Sequence, residues 1–81
     1  MDEPTIRSAI SRILASIAPE VSLDQIVATV PLRDQIDLDS MDWLNFIVGL
    51  HEQLHVDIPE ADYRKLRTLN ELIAYLGAKS P

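Results

Sequence analysis

The chain contains no cysteine. A disulfide framework, a thiolate metal site and a catalytic thiol are therefore all excluded, and the composition suits a reducing cytoplasm. No stretch approaches the run of about 18 apolar residues that a membrane span requires. The opening MDEPTIRSAISRI also lacks the apolar core of a signal peptide. There is no internal repeat, no low-complexity tract and no strand-like alternation. Positive charge is missing where it would matter most. Residues 34–62 hold eight acidic side chains (Asp34, Asp37, Asp39, Asp42, Glu52, Asp57, Glu60 and Asp62) and neither Lys nor Arg, whereas the net charge of the whole chain is −6. A surface with that block repels phosphate backbones, which argues against nucleic acid. It favours partner proteins with basic docking surfaces.

What is present is helical. With 81 residues there is material for one small domain spanning 1–81, and a core of this size favours a simple, local topology. Ile6, Ile10, Ile13, Leu14 and Ile17 form one stripe, predicting a first helix over about 4–18, with Pro4 in its first turn and Pro19 after its end. A long connection, 19–39, follows. In it Ser22-Leu23-Asp24-Gln25 reads as a capping box for a short helical turn, while Val21, Ile26, Val30 and Leu32 pin the connection to the core. A second helix is predicted over about 40–55, and a short third over about 59–66, opened by Pro59. A fourth, about 68–77, opens with the capping box Thr68-Leu69-Asn70-Glu71 and stops at Gly77. The expected architecture is all-α: a small four-helix bundle with a long loop between the first two helices.

The second helix carries two apolar faces. At 100° per residue, Trp43, Phe46, Ile47, Leu50 and Leu54 gather on one side as a core face. Met41, Leu44 and Val48 form a separate stripe flanked by Asn45, His51, Glu52 and His55, the pattern of apolar anchors in a polar rim. Ser40 stands at the head of this helix between Asp39 and Asp42. By local sequence it reads as an N-cap. It lacks the base that a nucleophilic serine needs, because His51, the nearer histidine, lies roughly 16 Å along the same helix. No G-x-S-x-G elbow is present. Ser40 is instead suited to accept a group that another enzyme attaches, and a phosphodiester there meets the positive end of the helix dipole. His51-Glu52-Gln53-Leu54-His55 fits the H-E-x-x-H pattern of zinc hydrolases. It lacks a third imidazole or thiolate and enough chain to enclose a cleft, so the two histidines read as solvated surface groups.

The stretch Leu38-Asp39-Ser40-Met41-Asp42 resembles the Asp-Ser-Leu motif of acyl carrier proteins. The run LHEQLHVDIPEADYRKLRTLNELIAYL, with its "DIPE" turn and "RTLNELIAYL" last helix, is similar to the same family without a gap. The resemblance implies a monomeric, non-enzymatic four-helix carrier acting in the cytoplasm. It implies that a phosphopantetheinyl transferase moves 4′-phosphopantetheine from coenzyme A onto Ser40, with Asp39 as the motif neighbour. The arm's thiol would then hold acyl groups as thioesters, importing the sulfur that the chain lacks. It further implies that acyl-loading and acyl-transferring enzymes read the second helix through Met41, Asp42, Leu44, Asn45, Val48, His51 and Glu52. Three departures mark this sequence. Asp37 stands where glycine is common, Asn45 and His51 where glutamates are common, and Trp43 where a smaller residue is common. They favour a specialised stand-alone carrier in a dedicated fatty-acid, lipid or polyketide-like pathway. The alternatives are a peptidyl carrier and an unloaded interaction module.

Overall fold

A computed structural model describes residues 2–79. Helix α1, Glu3–Ile17, starts one residue earlier than its periodicity suggests. The reason is that Asp2 caps it, its side chain accepting the Thr5 N–H at 3.0 Å. The connection that follows contains a 3-10 turn, Leu23–Gln25, and a single α-helical turn, α2, Leu32–Gln35. Then come α3, Ser40–Leu54, a 3-10 segment, Glu60–Lys65, and α4, Leu69–Gly77. Among the described residues there is no strand, and the architecture is the all-helical bundle expected. The capping box at Thr68 is formed: its hydroxyl accepts the Glu71 N–H, and the Glu71 carboxylate accepts the Thr68 N–H, both at 3.0 Å.

One apolar core joins these elements. Ile6, Ile10 and Leu14 of α1, Phe46, Ile47 and Leu50 of α3, and Leu69, Leu72 and Leu76 of α4 are all buried, and no polar side chain among the described residues shares the interior. Helix α3 lies close against α1 at Gly49. A Cβ there would lie 3.2 Å from Ile13 Cγ2, tighter than side chains normally tolerate, so the missing side chain sets this spacing.

Sequence periodicity gave no sign of α2, because four residues are too few to show one. Tertiary contacts hold it instead. Leu32 is fully buried, and its N–H donates to the Arg67 carbonyl at 2.8 Å. The Gln35 amide spans the loop: its Oε1 accepts the Val27 N–H at 2.7 Å, and its Nε2 donates to the Val27 and Val30 carbonyls, each at 2.8 Å. The Asn70 N–H reaches the Ala28 carbonyl at 3.1 Å. The long connection is thereby tied both to itself and to the start of α4. Ile36 and Leu38, each 5% exposed, then carry the chain down into α3.

The 3-10 segment is fastened to α4 by a different device. The Tyr75 hydroxyl donates to Asp62 Oδ2 at 2.6 Å, and Lys65 Nζ lies 3.5 Å from Asp62 Oδ1. Desolvation, then the bond to Asp62, pushes the Tyr75 phenol up from 10 to about 12. The same hydrogen bond holds the Asp62 carboxyl below its usual range. A phenol whose proton is held more tightly in the folded state contributes stability that is complete below pH 10 and lost as the pH rises through 12. Denaturant unfolding should therefore show a fall in stability across that window, and Tyr75→Phe should remove this part of the slope. Absorbance titration in a Tyr63→Phe background would locate the Tyr75 transition directly; a midpoint at 10 would contradict the bond.

Candidate functional site

The site is built at the mouth of α3. Asp39 has extended backbone angles (φ −79°, ψ −179°), and its side chain accepts the Asp42 N–H at 2.8 Å. Its carbonyl accepts the Trp43 N–H at 2.9 Å, as a capping residue's does. Asp39 is therefore the N-cap, and Ser40 is the first helical residue. This corrects the reading of Ser40 as the cap. Aspartate caps as well as serine, gains in addition from the helix dipole, and sits one position earlier. The consequence is chemical. Ser40 is exposed, and its hydroxyl makes no hydrogen bond among the described residues, so it is not consumed by the fold.

The loop presents this hydroxyl from a fixed base. Leu38 is buried two residues before it, and the Arg33 Nε–H donates to the Leu38 carbonyl at 3.3 Å. A group attached to Ser40 would face solvent at the N-terminus of a 15-residue helix, whose free N–H groups and dipole favour an anion. The residues present thus fit a phosphodiester-linked prosthetic arm.

Along α3, Met41 is 66% exposed, Leu44 43% and Val48 41%, while Phe46, Ile47, Leu50 and Leu54 are buried. Asn45, His51 and Glu52 are exposed beside the apolar stripe, and Asp42 is half-buried. The stripe found by angle is therefore open to solvent. A groove of about 390 Å³ runs beside its far end, between Ile47, Val48 and His51 on α3 and Ile58 and Tyr63 beyond it.

The H-E-x-x-H histidines end the helix. His51 Nδ1 lies 2.6 Å from the Val56 carbonyl. A carbonyl only accepts, so Nδ1 carries the proton. His55 adopts the left-handed conformation (φ 54°, ψ 43°) that commonly terminates helices, a place more often taken by glycine. His51 is exposed, as its position on the helix suggests, with one ring nitrogen engaged where the chain folds back at buried Val56. Among the described residues no group of three or more His, Cys, Asp or Glu side chains is placed to hold a metal. No described helix is long and apolar enough to cross a membrane.

Comparison with known proteins gives the family. Residues 4–76 match the family model described as "Phosphopantetheine attachment site". The chain belongs to that family. Among its relatives is an acyl carrier protein of Kineococcus radiotolerans, 32% identical over 54 residues that make up 67% of each chain. Another, from Desulforapulum autotrophicum, is 25% identical over 94% of this chain and 99% of its own. A third, from Buchnera aphidicola subsp. Schizaphis graminum, is 27% identical over 96% of this chain and 92% of its own. The prosthetic group of this phosphopantetheine-attachment chain is covalently bound 4′-phosphopantetheine, and the chain is of acyl-carrier type. Sequence reasoning missed two of the site's structural supports, the Asp39 cap and the Arg33–Leu38 tie. The first was legible in principle from the equal capping strength of aspartate. The second joins loop atoms five residues apart and left no pattern to read.

Proposed function

We propose that Ser40 is the attachment point of 4′-phosphopantetheine and that this chain carries acyl groups as thioesters on that arm. The observation supporting the reading is the free, exposed Ser40 hydroxyl at the first position of α3, with the capping work done by Asp39. In the attachment reaction the Ser40 Oγ forms a bond to the β-phosphorus of coenzyme A. The bond to the bridging oxygen breaks, 3′,5′-adenosine bisphosphate leaves, and the hydroxyl proton is lost. Among the described residues no imidazole stands near Ser40, and the Asp39 carboxylate is engaged as the helix cap, so a phosphopantetheinyl transferase supplies the base that removes that proton. Once attached, the arm provides the thiol, and acyl exchange onto it is the work of partner enzymes.

Asp39, Asp42 and Glu52 attract basic residues on those partners, and Met41, Leu44 and Val48 supply apolar contacts that lose water on docking. Asn45 and His51 make the docking rim less acidic than an all-carboxylate helix, and this favours dedicated partners over a general set. The pathway is one of fatty-acid, lipid or polyketide-like synthesis. A cytoplasmic setting supplies the coenzyme A that loading consumes.

The test is intact mass after incubation with coenzyme A, magnesium and a broad-specificity phosphopantetheinyl transferase. One added phosphopantetheine, located at Ser40 by fragmentation, is expected. No addition, or addition at another residue, would overturn the assignment.

A further inference from the structure

A second groove, of about 320 Å³, opens beside the first turn of α3 and is lined by Pro31, Arg33, Asp34, Trp43 and Arg67. Its composition is unusual for this chain. Residues 34–62 contain eight carboxylates and no Lys or Arg, and the fold brings two guanidinium groups from either side of that block to its edge. Asp34 in the same groove leaves it with one net positive charge. Arg33 is held by the bond from its Nε to the Leu38 carbonyl and makes no ion pair among the described residues, so its two terminal amino groups are uncommitted. Arg67 meets Glu71 only at 3.9 Å with its side chain 66% exposed, an arrangement that holds little energy. The apolar wall is Trp43, half-buried and fixed by stacking on Phe46 with ring centroids 5.3 Å apart.

Ser40 and Trp43 are spaced i, i+3 on α3, which puts their Cβ atoms about 5–6 Å apart. A phosphodiester on Ser40 would add negative charge next to Asp39 and Asp42. Arg33, bonded to the carbonyl two residues before Ser40, can compensate that charge and can offer a two-pronged contact to phosphate oxygens. The first segment of the arm beyond the phosphate carries a branched pair of methyl groups, suited to the face of an indole.

We infer that this Arg33–Trp43–Arg67 groove seats the proximal part of the arm, with the phosphodiester against the guanidinium groups and the methyl-bearing segment on Trp43. The inference rests on the assignment of Ser40 as the attachment point. Seating holds the arm's base against the protein and leaves its thiol end free to swing from a defined origin.

Trp43 is the only tryptophan, so its fluorescence reads the groove alone. Acrylamide quenching and the ³¹P chemical shift would be measured on the unloaded and fully loaded chain, with loading checked by intact mass. Loading is expected to reduce the quenching constant about twofold, since the arm covers the indole's open face. In an Arg33→Gln/Arg67→Gln variant, folded by circular dichroism and loaded to completion, the protection should be lost and the ³¹P shift should move to that of an exposed serine phosphodiester. Arg12→Gln, an exposed change on α1, should keep both signals. Single Arg33→Gln and Arg67→Gln variants serve if the double variant does not fold. Unchanged quenching on loading would overturn the inference, as would full protection in the arginine variants. Protection that arises only after acylation would overturn it too, by making the cargo rather than the arm the occupant. A chain that gains no mass would instead sink the Ser40 assignment itself, so the two failures are distinguishable.

Discussion

Ser40→Ala is expected to abolish phosphopantetheine addition completely while unfolding within about 0.5 kcal/mol of wild type. The two halves of this result have separate causes. Loading is lost because the variant has no oxygen to form the phosphodiester. Stability is kept because Ser40 is exposed at the first helical position and makes no hydrogen bond among the described residues. Asp39→Ala is the converse. It removes the acceptor of the Asp42 N–H and should cost about 0.5–2 kcal/mol, the range for losing a helix N-cap. Its loading should slow but survive, because the hydroxyl remains and only an acidic docking group is gone. Denaturant unfolding and intact mass on the same two variants make the comparison. If Ser40→Ala proved the less stable of the two, the hydroxyl would be the cap after all. A Ser40→Ala chain that still gained phosphopantetheine would end the assignment.

That pair of variants marks where sequence and structure part. The long helices were legible because their apolar residues repeat over several turns. The Ile6–Ile10–Ile13–Leu14 stripe and the Phe46–Ile47–Leu50–Leu54 face are both buried as their spacing requires. The Met41–Leu44–Val48 stripe was legible for the same reason, as a set of angles that one buried face could not absorb. Trp43 lies on the core face by angle yet is only half-buried. It sits in the first turn of α3 with one side packed on Phe46 and the core, while its other side faces the groove lined by Pro31, Arg33, Asp34 and Arg67.

The remainder is non-local or irregular. Ile36, Leu38 and Val56 are buried in segments without a period, and the chain's path alone decides their burial. The choice between Ser40 and Asp39 as cap turned on one residue of register, and both types cap well. His51 could be placed on the surface from the helical wheel, but its bond to the Val56 carbonyl depends on how the chain turns after α3. The groove between Arg33 and Arg67 joins residues 34 positions apart through the Leu32–Arg67 backbone bond. Charge patterning showed where arginine was missing. It could not show where the flanking arginines would meet.

The other large effect lies in the core. Phe46→Ala is expected to cost about 3–5 kcal/mol, through the lost burial and the cavity left behind. Phe46 is completely buried and supports Trp43 by stacking at 5.3 Å. A chain of 81 residues has a total stability of about 4–12 kcal/mol. The substitution therefore removes a large fraction of the whole and should lower the thermal midpoint by at least about 12 °C. Trp43 emission would report both the earlier midpoint and, before unfolding, the loss of its stacking partner. Phe46→Leu keeps most of the volume and should be markedly milder. The comparison also separates folding from chemistry. Phe46 touches no group that the attachment reaction uses, so Phe46→Ala held well below its midpoint should still gain one phosphopantetheine on Ser40. A variant that stays folded yet is not loaded would mean that the transferase recognises the packing beneath α3 as well as its exposed face.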